Sequence, residues 1–91
     1  MVNKNFKMKF LKNNGQKGVI VIQHKIFGEQ KYEVDKLNIF HNGNRVGVRI
    51  KGQELYIQLN DIERYFENEG MVEIESKMKK IQIFHKGVKN T

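Results

Sequence analysis

The sequence predicts a mainly β domain, and three observations support that fold class. Alanine, the strongest helix former, is absent, as are proline, tryptophan and cysteine, while Ile, Val, Phe and Tyr are plentiful. Apolar and polar residues alternate over short runs, as half-buried strands require. Pairs such as Asn14-Gly15 and Asn42-Gly43 separate these runs and are typical of tight turns. We expect an antiparallel meander that curls into a small barrel or folds over as a sandwich.

The first two strand candidates lie in the N-terminal third of the chain. Residues 5–11 alternate, with Phe6, Met8 and Phe10 on one face. Asn13-Asn14-Gly15 then predicts a hairpin turn, so that residues 18–27 fold back on the first strand. This second run is apolar on both faces in its first half, which indicates a central strand.

The following strands are separated by further turn signals. Alternation resumes over residues 30–41 but changes phase between Val34 and Leu37, which predicts a bend near Asp35. Hairpin turns at Asn42-Gly43 and at Lys51-Gly52-Gln53 bracket a strand over 44–50. Three more strands are expected over residues 54–59, near 72–75 and near 80–86.

One short helix is predicted over residues 60–69. Asn60 can cap its first turn, and Glu63 stands three residues later, as in a capping box. Ile62, Tyr65 and Phe66 fall at helical spacing, and Gly70 is a common helix stop. In an alternative architecture, this helix covers one side of an open sheet.

Length and composition favour a single domain, residues 1–91. The lack of cysteine excludes disulfides and thiolate metal sites, and it suits a reducing, cytoplasmic location. The basic N-terminus lacks the apolar stretch of a signal peptide, and no run approaches the ~18 apolar residues of a membrane span. We therefore expect a cytoplasmic protein with no membrane partner.

The net charge of +7 is distributed unevenly. Residues 1–27 and 77–91 contain lysines and no acidic residue, whereas the acidic residues are concentrated between 61 and 75. If the two basic ends lie side by side, they form a positive surface opposed by a negative one. Such a surface favours an anionic partner, although lysines also line ordinary solvated strands.

Two octets of the chain are nearly identical: KLNIFHNG at 36–43 and KIQIFHKG at 80–87. In each of them, alternation places Phe40 or Phe84 on the polar, basic face of a strand. Exposed rings flanked by cations and amides are typical of platforms for single-stranded nucleic acid, on which bases stack. Alternatively, each ring covers the edge of the core or a subunit interface, and the similarity of the two octets is a coincidence.

The leading hypothesis is a non-catalytic domain that binds single-stranded DNA or RNA. Arg45 and Arg49 flank Gly47 and can make the tighter contacts, because a guanidinium group can donate two parallel hydrogen bonds to a phosphate or to the edge of guanine. Phe40 and Phe84 are the stacking residues. The predicted phosphate contacts are lysines near the strand ends: Lys7, Lys9, Lys36, Lys80 and Lys86.

Enzymatic and metal-dependent functions have little support. The chain contains one Ser, one Thr and no recognisable phosphate-binding or nucleophile motif. His24, His41 and His85 do not show the close spacing of a metal site, so no metal or other cofactor is expected. The alternative function is a protein-interaction or inhibitor module of a phage or mobile element, which could be a homodimer.

Overall fold

The structure, a computed structural model, describes residues 7–86 and consists of short strands joined by tight turns. In chain order the strands are β1 (Gly18–His24), β2 (Gly28–Val34), β3 (Ile39–His41), β4 (Arg45–Ile50), β5 (Gln53–Gln58), β6 (Arg64–Glu67), β7 (Met71–Glu75) and β8 (Lys79–His85). Two short 3-10 helices accompany them, at Lys9–Asn13 and Leu59–Asp61. The predicted mainly β, antiparallel fold is confirmed.

The strands form two antiparallel sheets. The large sheet has five strands in the order β2-β1-β8-β7-β6, and the small sheet has three in the order β3-β4-β5. β1 pairs with both β2 and β8, so the prediction of a central strand in this region is confirmed. The strand itself is shorter than predicted and ends at His24.

The core lies between the two sheets. Alternate residues of the large sheet point inward, among them Ile20, Ile83 and Val72, which share one row across β1, β8 and β7. Val46 and Val48 of β4 point inward from the small sheet, and all of these side chains belong to one buried cluster. Burying them supplies most of the favourable free energy of folding, at ~25 cal/mol per Å² of apolar surface.

The predicted strand over residues 5–11 is wrong in its described part. Residues 5 and 6 lie outside the described residues, and Lys9–Asn13 forms a 3-10 helix. The physical reason is that both edges of β1 are already occupied by β2 and β8, so no ladder is open there for another strand. Met8, just before the helix, and Phe10, within it, are nonetheless buried in the core.

The predicted helix over residues 60–69 is also wrong. Only Leu59–Asp61 is helical, Ile62 is extended at φ −70° and ψ 126°, and β6 follows. β6 pairs with β7, which satisfies its backbone hydrogen bonds, whereas an isolated helix of about two turns is marginal in water. Tyr65 and Phe66 accordingly point to opposite faces of a strand.

The predicted bend near Asp35 is confirmed, and it is the point where the chain leaves the large sheet. β2 ends at Val34, and β3 begins at Ile39 in the small sheet. The side chain of Asn14 holds the start of β3: its Oδ1 accepts a hydrogen bond from Ile39 N at 2.7 Å, and its Nδ2 donates one to Ile39 O at 2.9 Å. The Asn14 segment therefore anchors the second sheet.

The β4–β5 turn offers a test of local strain. Lys51 has φ 51° and Gly52 φ 82°, and the two residues form the loop between the paired Ile50 and Gln53. Asn tolerates positive φ better than Lys, so Lys51→Asn should stabilise the protein by about 0.5–1 kcal/mol. Urea denaturation should show a higher midpoint at constant m-value. Lys31→Asn, within β2, is the matched control and should not stabilise; an unchanged or lower midpoint for Lys51→Asn contradicts the prediction.

A second test concerns His41, on the inward face of β3 opposite Val46. Burial lowers the pKa of His41 below its ordinary value of 6.5. As pH falls below 6.5, the unfolded chain binds a proton that the folded chain resists, so stability should decrease until the pH reaches the folded-state pKa. Urea midpoints measured across this window should fall less steeply in His41→Gln than in the wild type. Equal slopes would show that His41 does not contribute.

Candidate functional site

The outward face of the small sheet brings together several of the cationic and aromatic residues that were predicted from the sequence as contact residues. The strand register determines which residues are neighbours on this face: Phe40 pairs with Gly47, Gly47 with Tyr56, and Arg49 with Glu54. Because Val46 and Val48 point into the core, the residues that alternate with them point out. We call this surface the arginine face; it consists of Phe40, Arg45, Gly47, Arg49, Glu54 and Tyr56.

Each arginine of this face lies over an aromatic ring. The Cζ atom of Arg49 is 4.5 Å from the ring centroid of Phe40, and that of Arg45 is 4.6 Å from the centroid of Tyr56. Such cation–π contacts are worth about 0.5–1 kcal/mol at exposed sites. Phe40 is only 8% exposed, whereas the arginine side chains are 38% and 45% exposed. At Phe40, the guanidinium group of Arg49 and not the ring beneath it is therefore presented to solvent, whereas Tyr56 is partly exposed.

One carboxylate lies between the two arginines. Glu54 Oε2 accepts a hydrogen bond from Arg49 Nε at 3.0 Å, and its Oε1 is 3.4 Å from Arg45 Nη1. Partly exposed ion pairs of this kind contribute little to stability. Their effect here is geometric, because they add a second restraint to each guanidinium already placed over a ring.

A third cation reaches the arginine face from the large sheet. Lys79, the first residue of β8, donates a hydrogen bond from Nζ to the carbonyl oxygen of Tyr56 at 2.9 Å. The same Nζ is 5.9 Å from the centroid of the Tyr56 ring. Three cationic groups thus accompany the carboxylate of Glu54 on this face, and Asp61 and Glu63 line the adjoining groove with Tyr56 and Lys79.

The predicted site residues fall into two groups. Phe40, Arg45 and Arg49 are brought together on the arginine face. Phe84 also points away from the core, but on the outward face of the large sheet, between Val19 and Met71. The two phenylalanines therefore lie on different sheets and do not form one stacking platform.

The predicted lysines lie away from the strands of the arginine face. Lys7 and Lys9 line a surface groove with Glu67 and Glu69, so their charge is locally opposed. Lys80 lies on β8 of the large sheet, directly opposite Glu75 of β7 in the strand register. Lys36 lies in the link before β3, and Lys86 follows β8; both are exposed.

Glu54, Tyr56 and Lys79 were not among the residues predicted from the sequence. The first two could have been found, because the two-residue turn at Lys51-Gly52 sets a register in which Tyr56 faces Gly47. Lys79 gave no local signal, since it reaches the face from another sheet.

Histidines and acidic residues show no metal-site geometry in the part of the chain that the structure describes, where no group of three or more potential ligands is assembled. Burial and the hydrogen bond that the Tyr65 hydroxyl donates to Glu67 raise the pKa of Tyr65. Tyr65 packs against the core, so we interpret this hydrogen bond as structural. Among residues 7–86, no helix is long and apolar enough to cross a membrane.

Comparison with known proteins does not assign the chain to a family. No protein-family model matches it, and no curated protein or solved structure shows significant similarity to it.

Gly47 is the residue whose substitution should disrupt the arginine face most directly. A Cβ atom at this position would lie 2.1 Å from Leu55 O and 2.6 Å from Tyr56 Cα, both of which are backbone atoms. Gly47→Ala should therefore separate β4 from β5 and lower the free energy of unfolding by about 2–3 kcal/mol or more. Gly43→Ala, where a Cβ meets no atom within 4 Å, is the control. Equal urea midpoints for the two variants would contradict the close packing.

Proposed function

We propose that this protein binds single-stranded nucleic acid without catalysis, through the arginine face. The observation that supports this function is the placement of two guanidinium groups over aromatic rings on one outward surface. Guanidinium planes stack on exposed bases, and their N–H groups donate to phosphate or to base edges. One side-chain type can thus supply both stacking and phosphate contacts.

In this mechanism the stacking surface also differs from the bare aromatic platform that the sequence suggested. Phe40 is covered by Arg49, so a base would stack on the guanidinium group and not directly on the ring. The ring acts as a support that keeps the guanidinium in place. Holding it before binding reduces the conformational entropy lost on complex formation.

Charge supports the same ligand class. Arg45, Arg49 and Lys79 are near one another, and a ligand phosphate would compete with the carboxylate of Glu54 for the two arginines. Neutralising phosphates releases counterions, with a slope of log K against log salt of about −0.7 per contact for single strands. Three cations therefore predict a slope of about −2.

The test is a titration of short fluorescently labelled DNA and RNA single strands at about 50 and 200 mM salt. Arg45→Gln and Arg49→Gln should each weaken binding about tenfold, as expected for the loss of a charged contact. Glu54→Gln should strengthen binding, because it removes the competing carboxylate. Arg64→Gln is the matched control, since Arg64 is exposed on β6 and pairs with Glu75 at 3.9 Å.

The outcomes separate the proposal from nonspecific attraction. Absence of binding at ~50 mM salt, where phosphate contacts are strongest, ends the proposal. Equal weakening by Arg64→Gln and Arg49→Gln would assign the effect to net charge alone. Circular dichroism of each variant checks that the strand content is unchanged.

A further inference from the structure

Two neighbouring turns at one end of the large sheet expose large apolar side chains. The β1–β2 turn contains Ile26, 71% exposed, and Phe27, 77% exposed, and the β7–β8 turn contains Met78, 43% exposed. A hydrogen bond of 3.0 Å from Lys25 N to Met78 O joins the two turns. We call Ile26, Phe27 and Met78 the apolar tip. They account for three of the four large exposed apolar side chains in residues 7–86.

The apolar tip is held in shape by His24. The Nδ1 atom of His24 accepts hydrogen bonds from Ile26 N at 3.0 Å and Phe27 N at 3.3 Å. Its ring also contacts the Phe27 ring, with centroids 4.6 Å apart. The turn backbone is therefore ordered while its apolar side chains remain outside, so their exposure is built into the turn.

The two turns that form the apolar tip carry cationic residues of their own. Lys25 and Lys77 flank the apolar tip and are exposed, and neither residues 25–27 nor residues 76–78 include an acidic residue. Carboxylates lie outside the turns: Asp61 and Glu63 line a groove with Lys77 and Met78, and Glu75 pairs with Arg64. An anionic partner would meet cations at the tip without an opposing carboxylate on the turns.

We propose that the apolar tip inserts into the surface of an anionic lipid bilayer, with Lys25 and Lys77 at the headgroups. Aromatic and aliphatic side chains gain free energy at the boundary between headgroups and acyl chains, and neighbouring lysines are attracted by anionic lipids. A bilayer surface is planar, so both adjoining turns can enter it at once. Nucleic acid fits the tip less well, because Ile26 and Met78 offer no ring on which a base could stack.

This contact is peripheral and does not require a membrane-spanning segment. The sequence predicted no membrane partner because it contains no apolar run long enough to span a bilayer, a criterion that does not detect a surface contact. Ile26 and Phe27 were also predicted to lie in a strand. Their exposure follows from the end of β1 at His24.

The first experiment measures sedimentation of the purified protein with sucrose-loaded vesicles. Phosphatidylcholine vesicles are compared with vesicles that also contain about 30% phosphatidylserine, at low salt. We expect binding to the anionic vesicles and little to the neutral ones. Phe27→Ser should reduce the partition coefficient about tenfold. Phe66→Ser, which alters an exposed ring on β6, is the matched control and should have no effect.

The electrostatic part of the proposal has its own variants. Lys25→Gln and Lys77→Gln should each lower the partition coefficient about fivefold, the loss expected for one lysine near an anionic surface. Lys31→Gln removes the same charge from an exposed position in β2 and should change it less. Equal effects of all three substitutions would overturn the assignment of the tip as the contact.

A second experiment reports insertion directly, because the chain has no tryptophan. A Phe27→Trp variant should show a blue-shifted emission on addition of anionic vesicles and quenching by brominated lipids, while a Phe66→Trp variant should show neither. Unchanged emission from Phe27→Trp, or equal shifts in both variants, overturns the proposal. So does wild-type protein that stays in the supernatant with anionic vesicles.

Discussion

The pairing of β1 with β8 is the constraint on which the rest of the structure depends. It joins segments from the two ends of the described chain and places Ile20 opposite Ile83 and Ile22 opposite Ile81, all of them buried. Closing so long a segment costs conformational entropy, which only the burial of these side chains can offset. The pair also forms the centre of the large sheet, with β2 on one side and β7 on the other.

Both candidate surfaces depend on that pairing. Lys79 reaches Tyr56 because it is the first residue of β8, and β8 is held in register by β1. The apolar tip has the same origin, since His24 pairs with Lys79 and so brings the β1–β2 turn beside the β7–β8 turn. A residue that stabilises the central pair can therefore affect a surface it does not touch, and variants of the core are unsuitable tests of either surface.

Local patterns predicted the fold class, the turns after β3 and β4, the bend near Asp35 and the outward direction of Phe40, Arg45 and Arg49. These features depend on period-two alternation and on turn chemistry, both of which act over a few residues. The strand predicted over 5–11 and the helix predicted over 60–69 failed for a non-local reason. The pairing of β1, β2, β7 and β8 determines which strand edges are already occupied and which remain open to a further strand. The sequence pattern of Asn60 and Glu63 satisfied the rules for a helix start, but the open edge of β7 determined the outcome.

The two similar octets show how far local sequence determines a site. Both contribute a strand with Ile facing the core and Phe facing outward, so the letters specify the same local structure twice. Their surroundings differ: Phe40 stands opposite Gly47, which has no side chain, while Phe84 stands between Val19 and Met71. Gly47 places no side chain beside the Phe40 ring, and Arg49 of the same strand lies over that ring, whereas the cross-strand neighbours of Phe84 are both apolar. An outward aromatic ring thus becomes the support for a cation or part of an apolar surface according to its cross-strand partners, which its own strand does not encode.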